Sequence, residues 1–189
     1  MCVAPGFGTG PETALHRTRL KPGRTAAAKE RMQIADTRIL VVGLARTGLA
    51  TARFLHRRGA VVRATDSAAA EALGPAAAEL RAMGIDLELG GHRTESFVSA
   101  ELIVVSPGVP LTIAPIEAAR RRGVPVIAEA ELAFRFIREP IVAVTGTNGK
   151  TTVTELIGRM LAASGRRVFV GGNIGRPLIG YVDEGAPAE

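Results

Sequence analysis

Residues 38–66 read RILVVGLARTGLATARFLHRRGAVVRATD, and this stretch decides the fold. Ile39–Val42 is an apolar run of strand length ending at Gly43, the pattern of a strand buried on both faces of a parallel sheet. Leu49, Ala52 and Leu55 then recur at helical spacing until Gly59 stops the helix. Val61–Thr65 is a second strand, closed by Asp66. Strand, helix and strand in about thirty residues form a βαβ unit, whose strands run parallel.

The same alternation continues downstream. Ala68–Met83 is Ala-rich and helical, broken at Gly74-Pro75, and Asp86–Leu89 is a short strand. Glu101–Val105 is a strand running into Ser106-Pro107-Gly108. A helix over Ile113–Arg122 closes at Gly123, a strand follows at Val124–Ile127, and a helix over Glu129–Ile137 stops before Pro140. A second unit then begins with a strand at Ile141–Thr145. It continues through a Gly-rich loop into a helix predicted to bury Val153, Leu156, Ile157, Met160 and Leu161, and ends with a strand at Arg167–Val170. The predicted class is α/β: a Rossmann-like parallel-sheet domain over 36–139, then the beginning of a P-loop-type α/β ATP-binding domain over 140–189. One βαβ unit cannot bury both faces of its sheet, so the second domain reads as incomplete.

Residues 1–35 carry six Lys or Arg against two acids, and the other 154 carry eighteen against sixteen. The net charge of +6 and pI near 10.6 therefore owe much to a basic N-terminal extension, read as poorly ordered and without a secretory signal. A nucleic-acid surface is not implied. Mean hydropathy is +0.20, yet apolar runs reach only strand length, so no membrane span is expected. The single Cys, Cys2, excludes an internal disulfide. Aromatic residues make up 4%, with no Trp, against an RNA-stacking module.

Two loops carry chemistry. Gly43-Leu44-Ala45-Arg46-Thr47-Gly48 fits the Rossmann fingerprint with Ala at the middle Gly, and Asp66 stands near the expected ribose-binding position. The start of the following helix offers N–H groups and partial positive charge to an anion. The second loop, Gly146-Thr147-Asn148-Gly149-Lys150-Thr151-Thr152, joins an apolar strand to an amphipathic helix. Its backbone suits phosphates, its Lys150 places an ammonium among their oxygens, and the Thr151 hydroxyl can ligate Mg2+. Only three Lys occur, Lys21, Lys29 and Lys150, in a chain with 24 basic residues. A slim point charge fits a phosphate nest that a planar guanidinium would crowd. Two residues separate the Gly positions here, against four in the standard Walker loop. Two different anion loops suggest two phosphorylated ligands, as in a synthetase. A NAD-binding oxidoreductase and a non-catalytic nucleotide-binding module are the alternatives.

The run Val144–Thr152 resembles the ATP-binding loop of the Mur ligase family, where the short spacing is usual. Val42–Gly48, Val105–Val109 and Gly171-Gly172-Asn173-Ile174-Gly175-Arg176-Pro177 resemble the D-glutamate-adding branch of that family. The resemblance implies a cytoplasmic, monomeric, ATP-dependent ligase of peptidoglycan-precursor synthesis. Its substrates would be ATP with Mg2+, UDP-N-acetylmuramoyl-L-alanine and D-glutamate, joined through an acyl phosphate. It places Arg46, Thr47 and Gly48 near the diphosphate, and Asp66 and Ser67 near uracil and ribose. Ser106 and Gly108 would face the UDP-sugar, Asn173 would lie nearer its muramoyl part, and Gly146 to Thr152 would hold ATP. Ala68 departs from relatives with Arg there, so stacking on uracil by that side chain is lost. The family's later Mg2+ ligand, carbamylated Lys, substrate-binding His and C-terminal domain have no counterpart before Glu189, so no turnover is expected from this polypeptide alone.

Of the remaining residues, His92 reads as a loop residue, with contact to a ligand as the alternative, and Glu129 and Glu131 as the acidic start of their own helix.

Overall fold

The computed structural model describes residues 2–3, 32–172 and 175–185. In chain order the elements are β1 (Cys2–Val3), β2 (Arg38–Val42), α1 (Arg46–Arg57), β3 (Val61–Asp66), α2 (Ala70–Leu73), α3 (Pro75–Ala82), β4 (Asp86–Leu89) and α4 (Thr94–Val98). They continue as β5 (Leu102–Val105), α5 (Ala114–Arg121), β6 (Val126–Ala128), α6 (Glu129–Phe136), β7 (Ile141–Val142), α7 (Lys150–Ala163), β8 (Phe169–Val170) and α8 (Leu178–Asp183).

One compact unit holds residues 32–137 together with the described residues from 171 onward. Its five strands are all parallel, in the order β4-β3-β2-β5-β6. The strand order reverses between β2 and β5, a switch point that opens a crevice at the carboxyl ends of the strands. Arg38 lies opposite Val61 and Ile39 opposite Leu102, which brings the ends of β2, β3 and β5 level. The two continuous apolar runs, Ile39–Val42 and Leu102–Val105, are buried throughout, as central parallel strands must be. Leu40, Val42, Ile103 and Val105 pack against Phe97 of α4 and Ile116 and Ala119 of α5. Right-handed crossovers put α1 and α3 on the opposite face. There Ala52 and Leu55 are buried as expected, joined by Thr51 and Phe54, while Leu49 is half-buried. Phe54 meets Phe136 edge-on at 5.2 Å, and the Arg58 guanidinium stacks on both rings.

The expected extension over 1–35 falls largely on residues outside those described. Its end, however, is structured: Ile34 is buried, and the Asp36 N–H donates to the Gly59 carbonyl at 2.9 Å. Helix α8 packs on α1 and α6, with Leu178 and Ile179 fully buried, so it belongs to the first unit.

The second unit comprises residues 138–170 with β1. Its strands are shorter than expected: Ile141–Val142 and Phe169–Val170 only. They do not neighbour each other, because Cys2–Val3 lies between them, antiparallel to both. Helix α7 spans 14 residues but buries only Thr154 and Gly158. Val153, Leu156 and Met160, predicted to be buried, are exposed at 44%, 55% and 63%, and Ile157 and Leu161 are half-buried. Helical periodicity marks an apolar stripe but not what covers it. Two-residue strands form a platform too narrow for a helix about 21 Å long.

Candidate functional site

The first loop is built at the switch point. Gly43 takes a φ of +88°, and a Cβ there would stand 2.7 Å from Val109 Cγ2. Its N–H donates to the Thr65 carbonyl at 2.8 Å. Its carbonyl accepts the buried Ser106 hydroxyl at 2.8 Å. Helix α1 presses onto the same carbonyl: a Cβ on Gly48 would come within 1.7 Å of the Gly43 oxygen. Both glycines of the fingerprint therefore have steric reasons, and the loop is held between β2, β5 and α1. Beyond Gly43 the Leu44 side chain turns into the core, while Ala45 and Arg46 are exposed and Thr47 is half-buried. The first turn of α1 has neither a side-chain cap nor an acidic residue. Its first N–H groups and partial positive charge suit an anion placed at the crevice.

Asp66 sits at the end of β3 as expected, and its carboxylate organises the loops. Oδ2 accepts the Leu44 N–H at 2.5 Å, and Oδ1 accepts the Ala68 N–H at 2.8 Å. The first bond ties the phosphate-type loop to β3. The second closes an Asx turn around exposed Ser67. Ser106, expected to face a ligand, gives its hydroxyl to Gly43 and so acts on the loop from within. Gly108 is exposed with a φ of +92°. Asn173 lies outside the described residues.

Two groups have partners that the sequence did not show. Thr65 is buried, and its hydroxyl lies 3.1 Å from the Gly91 carbonyl and 2.9 Å from His92 Nδ1. Glu129, expected at the start of its own helix, is 2% exposed and accepts the Ile179 N–H of α8 at 2.8 Å. It thus satisfies the first turn of a different helix. Burial pushes its carboxyl above the usual carboxylate range, and the bond from Ile179 offsets this in part. The sequence signal for it was only an acid in an apolar helix.

The second loop is exposed from Thr145 to Val153. Gly149 adopts the left-handed conformation at φ +75° and caps α7 without a side-chain bond. No acid stands in the first turn of α7. The Lys150 ammonium curls back and donates to the Gly146 carbonyl at 2.6 Å and the Thr147 carbonyl at 3.1 Å. It therefore stands at the mouth of the loop with exposed Thr151 and Thr152 beside it. Donors, a helix start and one exposed cation suit the phosphates of a nucleotide, and the Thr151 hydroxyl is free to meet a divalent cation.

Residues 37–128 match the family description "Mur ligase MurD-like, N-terminal domain", and residues 144–184 match "Mur ligase middle domain". The chain is 57% identical over 158 residues to a UDP-N-acetylmuramoylalanine–D-glutamate ligase of Desulfosudis oleivorans, covering 84% of this chain and 34% of that protein. It is also 57% identical over 150 residues to the enzyme of the same name from Desulfatibacillum aliphaticivorans, covering 79% and 33%. A solved UDP-N-acetylmuramate-alanine ligase, MurC, from Thermotoga maritima is 28% identical with a TM-score of 0.42, covering 67% of this chain and 29% of that one. The chain thus spans about a third of the length of the curated relatives it matches. With both domain descriptions matched in order and a loop of the family's spacing at Gly146–Thr152, the chain belongs to the Mur ligase family.

Proposed function

We propose that this chain carries the nucleotide-sugar loop and the ATP loop of a ligase that joins D-glutamate to UDP-N-acetylmuramoyl-L-alanine. The observation that carries this is the pairing of two unlike anion loops in one chain, one pinned at a Rossmann-type switch point and one bearing Lys150. Arg46, Thr47 and Gly48 present the start of α1 to the diphosphate, and Asp66 with Ser67 faces the uridine. Gly108 borders the sugar, Asn173 lies nearer the muramoyl part, and Ser106 holds the loop that contacts it.

Gly146, Thr147, Asn148 and Gly149 wrap the triphosphate of ATP, with Thr152 behind them. Lys150 neutralises its outer oxygens, and Thr151 ligates Mg2+. ATP with Mg2+ supplies the phosphoryl group that activates the substrate carboxylate as an acyl phosphate; the D-glutamate amine then attacks its carbonyl carbon, loses a proton, and inorganic phosphate leaves. Lys150 contributes by positioning and by offsetting negative charge that builds on the transferred group. The setting is cytoplasmic and the chain monomeric, with neither nucleic acid nor membrane as partner. Among the described residues no helix is long and apolar enough to cross a membrane.

Calorimetric titration with UDP-N-acetylmuramoyl-L-alanine, Mg·ATP and NADH tests the proposal. Saturable binding of the first two is expected; NADH binding alone would replace the ligase assignment with a dehydrogenase. Phosphate release with all substrates present is expected to be absent from the 189-residue chain.

A further inference from the structure

The parallel register puts Arg38, Leu40, Val61, Arg63 and Asp86 on one face of the sheet, the face on which Leu40 packs against Phe97 and Ile116. Helix α4 has only five residues, about 7.5 Å of cover. Leu40 is buried under it, but Val61 is left 58% exposed. The result is a recess of about 190 Å3 at the amino ends of β2 and β3, lined by apolar Leu40, Val61, Val62 and Ala100 and by Ser96 and Ser99. The nucleotide crevice lies at the carboxyl ends of the same strands, and the length of β2, about 13 Å, separates the two.

Two guanidiniums border the recess, Arg38 and Arg63. They stand on neighbouring strands two residues out of register, their Cα atoms about 8 Å apart. Arg38 Nε donates to the Ser99 carbonyl at 3.3 Å and lies 3.6 Å from Glu101 Oε2. Arg63 Nε donates to Asp86 Oδ2 at 2.7 Å, and its Nη1 donates to the buried Ser96 hydroxyl at 3.3 Å. Ser96 donates in turn to Glu88 Oε2 at 2.5 Å, which fixes the direction of that chain. Both acids that meet these guanidiniums, Glu101 and Asp86, sit against the Nε atoms. Among the described residues, neither Nη of Arg38 nor Nη2 of Arg63 has a partner.

We propose that this recess binds a small monocarboxylate with an apolar body, about the size of benzoate, at a site separate from the nucleotide crevice. The apolar body covers Val61, the one large side chain of the lining that the fold leaves bare. The carboxylate meets the Nη edge of Arg38, whose paired donors match its two oxygens, with Arg63 Nη2 beside it. The size follows from the volume: an apolar cavity of about 150 Å3 holds benzene, so this one has room for a ring and its carboxylate. Other chemistries fit less well. Phosphate would leave Val61 in water, a neutral ring would leave the three donors unused, and an amine would set its charge against two cations.

The test is an amide NMR titration of the labelled 189-residue chain with benzoate and with benzamide, its neutral counterpart. Benzoate should give saturable shifts at Leu40, Val61, Arg63 and Ala100 with a Kd of about 1 mM, within reach of a ligand this small. Benzamide should bind at least about tenfold more weakly, since it lacks the charge-assisted pair. Arg38→Met keeps the apolar stem and should weaken benzoate about tenfold with melting nearly unchanged. Val61→Asp sets an acid at the mouth and should abolish the shifts. The proposal is overturned by equal binding of benzamide, by no saturation at about ten times the expected Kd, or by shifts centred on Gly43–Gly48 or Gly146–Thr152. Benzoate affinity unchanged in folded Arg38→Met or Val61→Asp overturns it equally. Where either variant fails to fold, the ratio of benzoate to benzamide in the intact chain decides the matter.

Discussion

Replacing Glu129 separates two effects of one buried carboxyl. Glu129→Ala strands the Ile179 N–H, now satisfied at 2.8 Å inside a helix packing whose Leu178 and Ile179 are fully buried. A stranded N–H costs about 1–3 kcal/mol, and the one lost methylene adds about 0.8 kcal/mol. The total, about 2–4 kcal/mol, should lower the melting temperature by about 4–16 °C. Hydrogen exchange should show protection lost over 175–185 before the sheet opens. Glu129→Gln keeps an acceptor for Ile179 and removes the charge. Burial raises the carboxyl above its usual range, so the folded chain holds this proton when the unfolded chain has released it. The native stability supplied by the neutral form is complete below the unfolded value and is lost as pH rises through the folded one. The melting temperature of Glu129→Gln relative to the parent should therefore be higher at pH 7.5 than at pH 4. Melting scans at both values check this. A parent more stable than Glu129→Gln at pH 7.5, with the gap closing at pH 4, would refute the desolvation argument. An unchanged melting temperature in Glu129→Ala would refute the role of the Ile179 bond.

Three further outcomes follow from the loops. Ser106→Ala removes the hydroxyl that donates to the Gly43 carbonyl and should lower the melting temperature by about 3–10 °C, seen by calorimetry, with UDP affinity weakened through the displaced loop. Gly48→Ala forces a Cβ to within 1.7 Å of a backbone oxygen, and either the fold loses about 3 kcal/mol or UDP binding is abolished; a folded variant with parental UDP affinity would contradict the described packing. Lys150→Met alters an exposed side chain, so melting should be unchanged while Mg·ATP affinity falls about tenfold to a hundredfold in titration.

What could be read from the residues alone follows from how local the physics is. Ile39–Val42 and Leu102–Val105 are continuous apolar runs, and such runs permit little except central strands. The fingerprint glycines were legible because their constraint is steric and lies within six residues. Asp66 was legible in place but not in its partners, since the Leu44 N–H that it holds arrives only through the parallel register of β2 and β3. Glu129 meets a group 50 residues later in a helix of six residues, too short to show a periodicity of its own. The stripe on α7 was read correctly as apolar and wrongly as buried, because burial depends on a second surface.

The two anion loops differ in how they wait. At Gly43–Gly48 the Leu44 N–H, the Gly43 carbonyl and both glycines are already held by protein atoms, so the diphosphate proposed for this loop would find its seat shaped. At Gly146–Thr152 the ammonium is occupied by two carbonyl oxygens of its own loop, at 2.6 Å and 3.1 Å. A newcomer must outcompete them, and a weakly charged one will not. The lysine is in this sense a threshold: it lets go of the chain only for a guest carrying more negative charge than a pair of peptide dipoles.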